Sequence, residues 1–138
     1  MTKNTDNPIE LRAFTTWLGD DCICYTAVKP DAVIELEDAL ENTAAIKKIS
    51  KDSVYPILVN LKTIRSITKE ARDHFSMRNR TPGVTAIAFL IKSPSSRIIG
   101  NFFLGLNKPV VPTKLFTDKE DAIEWLKRFI KTSPPSSK

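Results

Sequence analysis

The apolar positions along the chain change their spacing several times, and each change marks a predicted element. The first run alternates with mostly polar neighbours and has its repeated positions at Ile9, Leu11, Ala13, Thr15 and Trp17. Alternation of this kind is typical of a strand with one buried face. After a turn at residues 19–21, residues 22–28 form a second β-rich run, so the two runs predict a hairpin.

The spacing becomes helical over residues 33–49. The apolar positions of this segment recur every three or four residues, at Leu36, Ala39, Leu40, Thr43, Ile46 and Ile49. Acidic residues come first and lysines come last, which favours a helix because each charge complements the nearer end of the helix dipole. The pattern predicts a helix that buries this apolar face.

Three short apolar runs follow, at residues 55–61, 84–91 and 110–116. The middle run is the most hydrophobic and predicts the core strand, whereas Pro112 places the last run at an edge of the sheet. Helical segments separate and follow these runs, and their predicted starts are Thr68, the Ser93-Pro94 pair and a capping box formed by Thr117 and Glu120.

The element order is therefore ββαβαβαβα. Strands that are reached through helical crossovers pair in parallel, whereas the opening hairpin is antiparallel. The prediction is an α/β fold with a mixed β-sheet of about five strands flanked by about four helices. We expect one domain over residues 9–131, with disordered segments at residues 1–8 and 132–138.

The two cysteines, Cys22 and Cys24, do not predict a disulfide or a metal site. Residues two apart on a strand have Cα atoms roughly 6.5–7 Å apart, which is too far for easy bridging. A zinc site needs further ligands, and His74 is the only histidine. We therefore expect both cysteines to be buried small hydrophobic residues, and we expect no metal and no cofactor.

Charge is unevenly distributed along the chain. Residues 1–61 hold six basic and ten acidic side chains, a balance of −4, and residues 62–138 hold fifteen and six, a balance of +9. This asymmetry is compatible with an acidic partner, nucleic acid, head-to-tail self-association or merely solvated helix faces. The basic residues are dispersed and lack interleaved aromatic residues, which argues against nucleic acid.

The sequence contains no apolar run of transmembrane length and no secretory signal, so a cytoplasmic location is expected. It also lacks a catalytic pattern. The four glycines do not cluster into a phosphate loop, and His74 lies within a predicted helix, away from any strand-end turn. We therefore predict a binding protein rather than an enzyme.

Two helix starts are candidate binding sites, because ligands of open α/β sheets collect where parallel strands end. The first corner comprises Asn60, Ser66, Thr68, Lys69 and Glu70. The second corner comprises Ser93, Ser95, Ser96, Arg97 and Asn101, whose hydroxyls, free amides and guanidinium suit a phosphate or carboxylate. Ordinary helix capping is the alternative explanation for the hydroxyl groups at both corners.

The third predicted helix is apolar around most of its circumference, over residues 98–106, which is more than one core face requires. This surplus of apolar positions favours a homodimer interface on the third helix. An amphipathic ligand, a membrane surface or burial beneath the N-terminal residues would also account for it.

Residues 56–68, PILVNLKTIRSIT, resemble the central strand and following loop of STAS domains, the anti-sigma-factor antagonist family. The element order is similar too. A more specific resemblance is to an uncharacterised bacterial STAS-like family. It is carried by residues 93–109 (SPSSRIIGNFFLGLNKP), by Phe116-Thr117 and by residues 122–126. The resemblance covers roughly residues 9–131 and implies a STAS-like fold.

STAS antagonists bind regulatory kinases and are switched by phosphorylation of a serine at a helix start, so the resemblance implies a protein partner of that kind, or self-association. Asn60 stands where the family usually has aspartate, and Glu70 stands near the switch serine. Glu70 either mimics a phosphorylated state or is an ordinary first-turn residue; Ser66 and Thr68 are phosphorylatable neighbours.

The expected function is a non-enzymatic regulatory or protein-interaction module without the usual switch serine. The alternative is a small-ligand or lipid-binding domain with an anion site at the start of the third helix.

Overall fold

The computed structural model describes residues 8–51, 53–77, 84–105 and 111–130. The strands are β1 (Ile9–Glu10), β2 (Phe14–Leu18), β3 (Cys24–Val28), β4 (Val33–Ile34), β5 (Tyr55–Asn60), β6 (Ser66–Ile67), β7 (Val84–Leu90) and β8 (Thr113–Phe116). The helices are α1 (Leu36–Ser50), α2 (Lys69–Met77), α3 (Pro94–Gly105) and α4 (Lys119–Leu126), followed by a 3-10 turn at Lys127–Phe129. Of the segments expected to be disordered, residues 1–8 and 132–138, all but residue 8 lie outside the described residues.

Six strands form one mixed sheet in the order β1-β2-β3-β5-β7-β8. The β1–β2 and β2–β3 pairs are antiparallel, and the β3–β5, β5–β7 and β7–β8 pairs are parallel. Strands β4 and β6 form a separate parallel pair. The predicted fold class is confirmed, and β8 lies at the sheet edge as expected, although it begins at Thr113, one residue after the proline that was predicted to lie within it.

Helices cover both faces of the sheet. On one face, Ala39 of α1, Ala71 of α2 and Ile99 of α3 pack against strand residues such as Phe14 and Val28. On the other face, α4 and the 3-10 turn pack against β3, β5 and β7, with Ala122 and Leu126 fully buried. The protein thus has two cores, one on each side of the sheet.

The prediction of a single opening strand with one buried face was wrong. The chain bends after β1, where the Leu11 N–H donates to the Phe14 carbonyl at 2.8 Å. Phe14 and Thr16 are buried on the face covered by α1, whereas Trp17 packs on the opposite face and stacks on Tyr25 at 5.3 Å. Because helices cover both faces of the sheet, the alternation of apolar and polar residues does not show which side of β2 is buried.

Helix α1 is rotated from the orientation that its apolar pattern predicts. Leu36 and Leu40 are 39% and 48% exposed, whereas Ala39 and Ile46 are buried as predicted, and Asp38 and Asn42 are buried with them. Asp38 fixes this rotation, because its carboxylate accepts the Glu35 N–H at 2.8 Å and pairs with the Arg12 guanidinium. Residues 33–34, predicted as the start of this helix, form β4.

Two of the three predicted helix starts are confirmed. The Thr68 hydroxyl accepts the Ala71 N–H at 3.2 Å, and Pro94 is the first residue of α3. At α4 the cap is Asp118 rather than Thr117, since the Asp118 carboxylate accepts the Glu120 N–H at 3.0 Å. The helix therefore starts one residue later than the capping-box pattern indicates.

Only one of the two cysteines is buried. Cys24 lies in β3 beneath α1, whereas Cys22 is exposed in the β2–β3 turn with a φ of 66°. The expectation that both are buried was therefore wrong for Cys22, because the strand begins two residues later than predicted. Burial raises the pKa of the Cys24 thiol to about 12.

This difference predicts selective thiol chemistry. At pH 8, one thiol per protein, that of Cys22, should react rapidly with an aromatic disulfide reagent. Cys24 should react only after unfolding, because its raised pKa of about 12 keeps the thiol protonated at this pH. Absorbance of the released thiolate measures both phases. A Cys22→Ser variant should lose the fast phase, and two fast thiols in the folded wild-type protein would contradict the assignment.

Candidate functional site

The two predicted corners meet in the structure. Strands β5 and β7 are parallel neighbours, and the Leu61 N–H donates to the Leu90 carbonyl at 2.9 Å, so the segments that follow leave the same edge of the sheet. They enclose a groove of about 270 Å³. This surface, called here the α2–α3 groove, is lined by Arg65, Ser66, Ile67, Arg72, Ser95, Ile98, Ile99 and Phe102.

At the first corner, Ser66 alone of the five predicted residues lines the groove. The Asn60 side-chain oxygen accepts the Lys62 N–H at 3.0 Å, and Thr68 caps α2. Lys69 pairs with Asp73 at 3.0 Å along the helix. Glu70 is exposed in the first turn of α2.

At the second corner, two of the serines have structural roles. Ser96 is fully buried; its hydroxyl accepts the Lys92 N–H at 2.7 Å and donates to the Ser93 carbonyl at 2.8 Å. The Ser93 hydroxyl accepts the Ser96 N–H at 3.0 Å. Ser95 lines the groove, whereas Arg97 and Asn101 are exposed. The anion site at this helix start stays a prediction.

The groove combines an apolar floor with two arginines. The Arg72 guanidinium lies 4.7 Å from the centroid of the Phe102 ring, and Ile98 is 70% exposed beside it. Arg65 makes two hydrogen bonds to Asp31, at 3.0 and 2.8 Å, which raise the pKa of Arg65 and lower that of Asp31. This surface suits an apolar side chain with a carboxylate next to it.

Sequence reasoning found part of this groove. The surplus of apolar positions in α3 indicated an exposed face, and Ile98 and Leu104 are indeed exposed, at 70% and 39%. It did not single out Arg65 or Arg72, because arginines on a predicted loop or helix surface are common. Whether this face forms a homodimer stays a prediction.

A cavity of about 130 Å³ lies within the larger core, between the sheet and helices α1, α2 and α3. Its lining is almost entirely apolar. The exception that stands out is Asn42 of α1, which is 4% exposed and whose Nδ2 has no hydrogen-bond partner within the described part of the chain. No sequence pattern indicated this cavity.

Among residues 8–51, 53–77, 84–105 and 111–130, three or more histidine, cysteine, aspartate or glutamate side chains do not come together as a metal site. In these same segments, no helix has the length and apolar character needed to cross a membrane.

A family model described as "Domain of unknown function (DUF7793)" matches residues 16–130. The chain belongs to this family. The match spans β2 to the 3-10 turn and includes every residue that lines the groove and all but one of those that line the cavity. No curated protein matches the chain significantly.

The solved structures that are similar to this chain include two proteins of unknown function. An uncharacterised DUF3478-family protein with a SpoIIAA-like fold, from Shewanella loihica PV-4, is 16% identical with a TM-score of 0.59, over 88% of this chain and 99% of that one. A protein of unknown function from Arthrobacter sp. FB24 is 33% identical with a TM-score of 0.32, over 80% of this chain and 96% of that one. The first similarity supports the STAS-like interpretation at the level of fold.

Proposed function

We propose that the chain is a non-enzymatic regulatory module that resembles STAS anti-sigma-factor antagonists and binds a protein partner through the α2–α3 groove. The observation that carries this proposal is the position of the exposed Ile98 beside the Arg72–Phe102 pair. Large exposed apolar side chains that are flanked by arginine and an aromatic ring are typical of interaction hot spots.

The groove chemistry favours a particular kind of partner segment. An aliphatic or aromatic side chain can pack on Ile98 and Phe102, while a neighbouring aspartate or glutamate approaches Arg72. A regulatory kinase is one candidate partner. A second copy of this chain is another, since residues 1–61 carry a net balance of −4.

The absence of catalysis is part of the same proposal. Within the described residues, His74 lies on α2 with its Nε2 atom 2.9 Å from the Thr43 hydroxyl and its ring edge against Phe75. An imidazole in this packed position between two helices supports a structural role. The exposed Glu70 in place of a switch serine supports a module that does not use the usual switch.

The proposal predicts which substitutions weaken partner binding. Ile98→Asp and Arg72→Ala should each reduce partner capture about tenfold, because one places a carboxylate on the apolar floor and the other removes the cation beside Phe102. The measurement is quantitative pull-down from host lysate, with a photo-crosslinker at Ser95 to identify the protein that touches the groove.

The matched control is Leu40→Asp, which introduces the same charge at an exposed leucine of α1. It should leave capture unchanged. A partner that is retained equally by all three variants, or a crosslinked protein absent from the pull-down, would overturn the groove assignment. Circular dichroism of each variant checks that the fold is kept.

A further inference from the structure

We infer that the core cavity is a binding site for a compact, uncharged, mainly apolar molecule that carries one hydrogen-bond acceptor, such as an aromatic ketone or a small ester. The cavity is lined by Ile57 and Ile87 of the sheet, by Phe103 of α3 and by Asn42 of α1. It lies beneath the helices and shares only Ile67 and Ile99 with the lining of the α2–α3 groove, and this inference does not rest on the proposed function.

The unpartnered amide is the first observation that points to a ligand. Buried polar groups are hydrogen-bonded in the great majority of native proteins, and a donor without a partner in apolar surroundings is costly. The other polar side chains in the lining are paired: the Thr26 hydroxyl meets that of Thr16, and the Thr43 hydroxyl meets His74. The Nδ2 group of Asn42 is therefore the donor in this lining that can donate a hydrogen bond to an acceptor atom of a ligand.

The volume of the cavity is the second observation. Native cores rarely leave voids larger than a water molecule, whereas this cavity measures about 130 Å³. A comparable engineered cavity, of about 150 Å³, stays dry and binds benzene. A six-membered ring with a short substituent is therefore the appropriate size of ligand.

The charge of the ligand follows from the lining. No lysine, arginine, aspartate or glutamate of the described residues lines the cavity. A charged ligand would lose its hydration without gaining an ion pair, which is strongly unfavourable. The ligand class is therefore neutral, and this site is separate from any anion site at Arg97.

The cavity follows from the packing of α1. Helix α1 turns Ala39, Asn42 and Ala45 towards the sheet, while its leucines at positions 36 and 40 remain exposed. A long aliphatic side chain at the Asn42 position would approach the same space. The chain thus has a polar residue where core filling alone would favour a leucine.

The test compares two probes of similar shape, acetophenone, which has a carbonyl acceptor, and isopropylbenzene, which has none. Methyl NMR of the full chain should show shifts at Ile57 and Ile87, with dissociation constants on the order of 0.1–1 mM. The ratio of ketone to hydrocarbon affinity should be about tenfold higher in the wild-type protein than in Asn42→Ala, because that variant lacks the amide donor and does not fill the cavity.

The matched control is Asn101→Ala, which makes the same replacement at an exposed position of α3 and should keep the wild-type ratio. An unchanged ratio in Asn42→Ala, or shifts confined to the Ile98 methyl groups in the groove, would overturn the inference. If Asn42→Ala does not fold, the wild-type shifts still decide: no response at Ile57 and Ile87 up to the solubility limit of both probes contradicts the site.

Discussion

Replacing Leu126 with alanine should lower the free energy of unfolding by about 3–5 kcal/mol. Leu126 is fully buried in the core formed by α4 and the sheet, where it packs in one cluster with Tyr25 and Leu58. This face of the sheet is covered by one short helix and a 3-10 turn, so few neighbouring side chains can move to fill the space. The loss in the free energy of unfolding should therefore lie in the upper part of the range for Leu→Ala substitutions in protein cores.

Urea unfolding followed by circular dichroism measures this change. The control is Leu104→Ala, which makes the same replacement at a leucine of α3 that is 39% exposed. The control should lower the free energy of unfolding by about 1 kcal/mol or less, since little buried surface is lost. Equal losses in the two variants would show that α4 does not anchor this core.

Replacing Asp38 with alanine should lower the free energy of unfolding by about 2–4 kcal/mol. The Asp38 side chain is 4% exposed and combines two roles: it caps α1 through the Glu35 N–H, and it pairs with Arg12, whose side chain is 61% exposed. Alanine removes both interactions and leaves the Glu35 N–H without its acceptor. Thermal or urea unfolding measures the loss.

A double-mutant cycle with Arg12→Ala separates the two roles. The double variant should be less destabilised than the sum of the single variants, because the ion pair between Arg12 and Asp38 is lost only once. Glu37→Ala is the control, an exposed acidic residue in the same turn, and should change stability by about 0.5 kcal/mol or less. Strict additivity in the cycle would contradict the coupling of the two side chains.

The sequence determined the main elements and their order, although it did not indicate the short strands β4 and β6. Local rules were sufficient here, because Thr68 caps α2 and Pro94 opens α3 through contacts within a few residues. The edge position of β8 was predicted correctly, but β8 begins at Thr113, so Pro112 precedes the strand and does not interrupt its pairing. The two candidate corners were found by the rule that parallel strands end at the same edge.

Only the tertiary structure decided which residues of α1 and β2 are buried in addition to, or in place of, the predicted apolar positions. The rotation of α1 depends on Asp38 and on Arg12, which lies 26 residues away in the chain, so the spacing of leucines could not reveal it. The faces of β2 could not be read from alternation, because helices cover both sides of the sheet.

The groove and the cavity likewise exist only after folding. The groove joins Ser66 to Ser95 because β5 and β7 are adjacent, and no local pattern specifies that adjacency. The cavity is the space left between one sheet face and three helices, and its volume depends on how distant side chains pack. Hydrogen bonds and steric limits within a few residues fix the elements, whereas the binding surfaces arise from contacts between residues far apart in the chain.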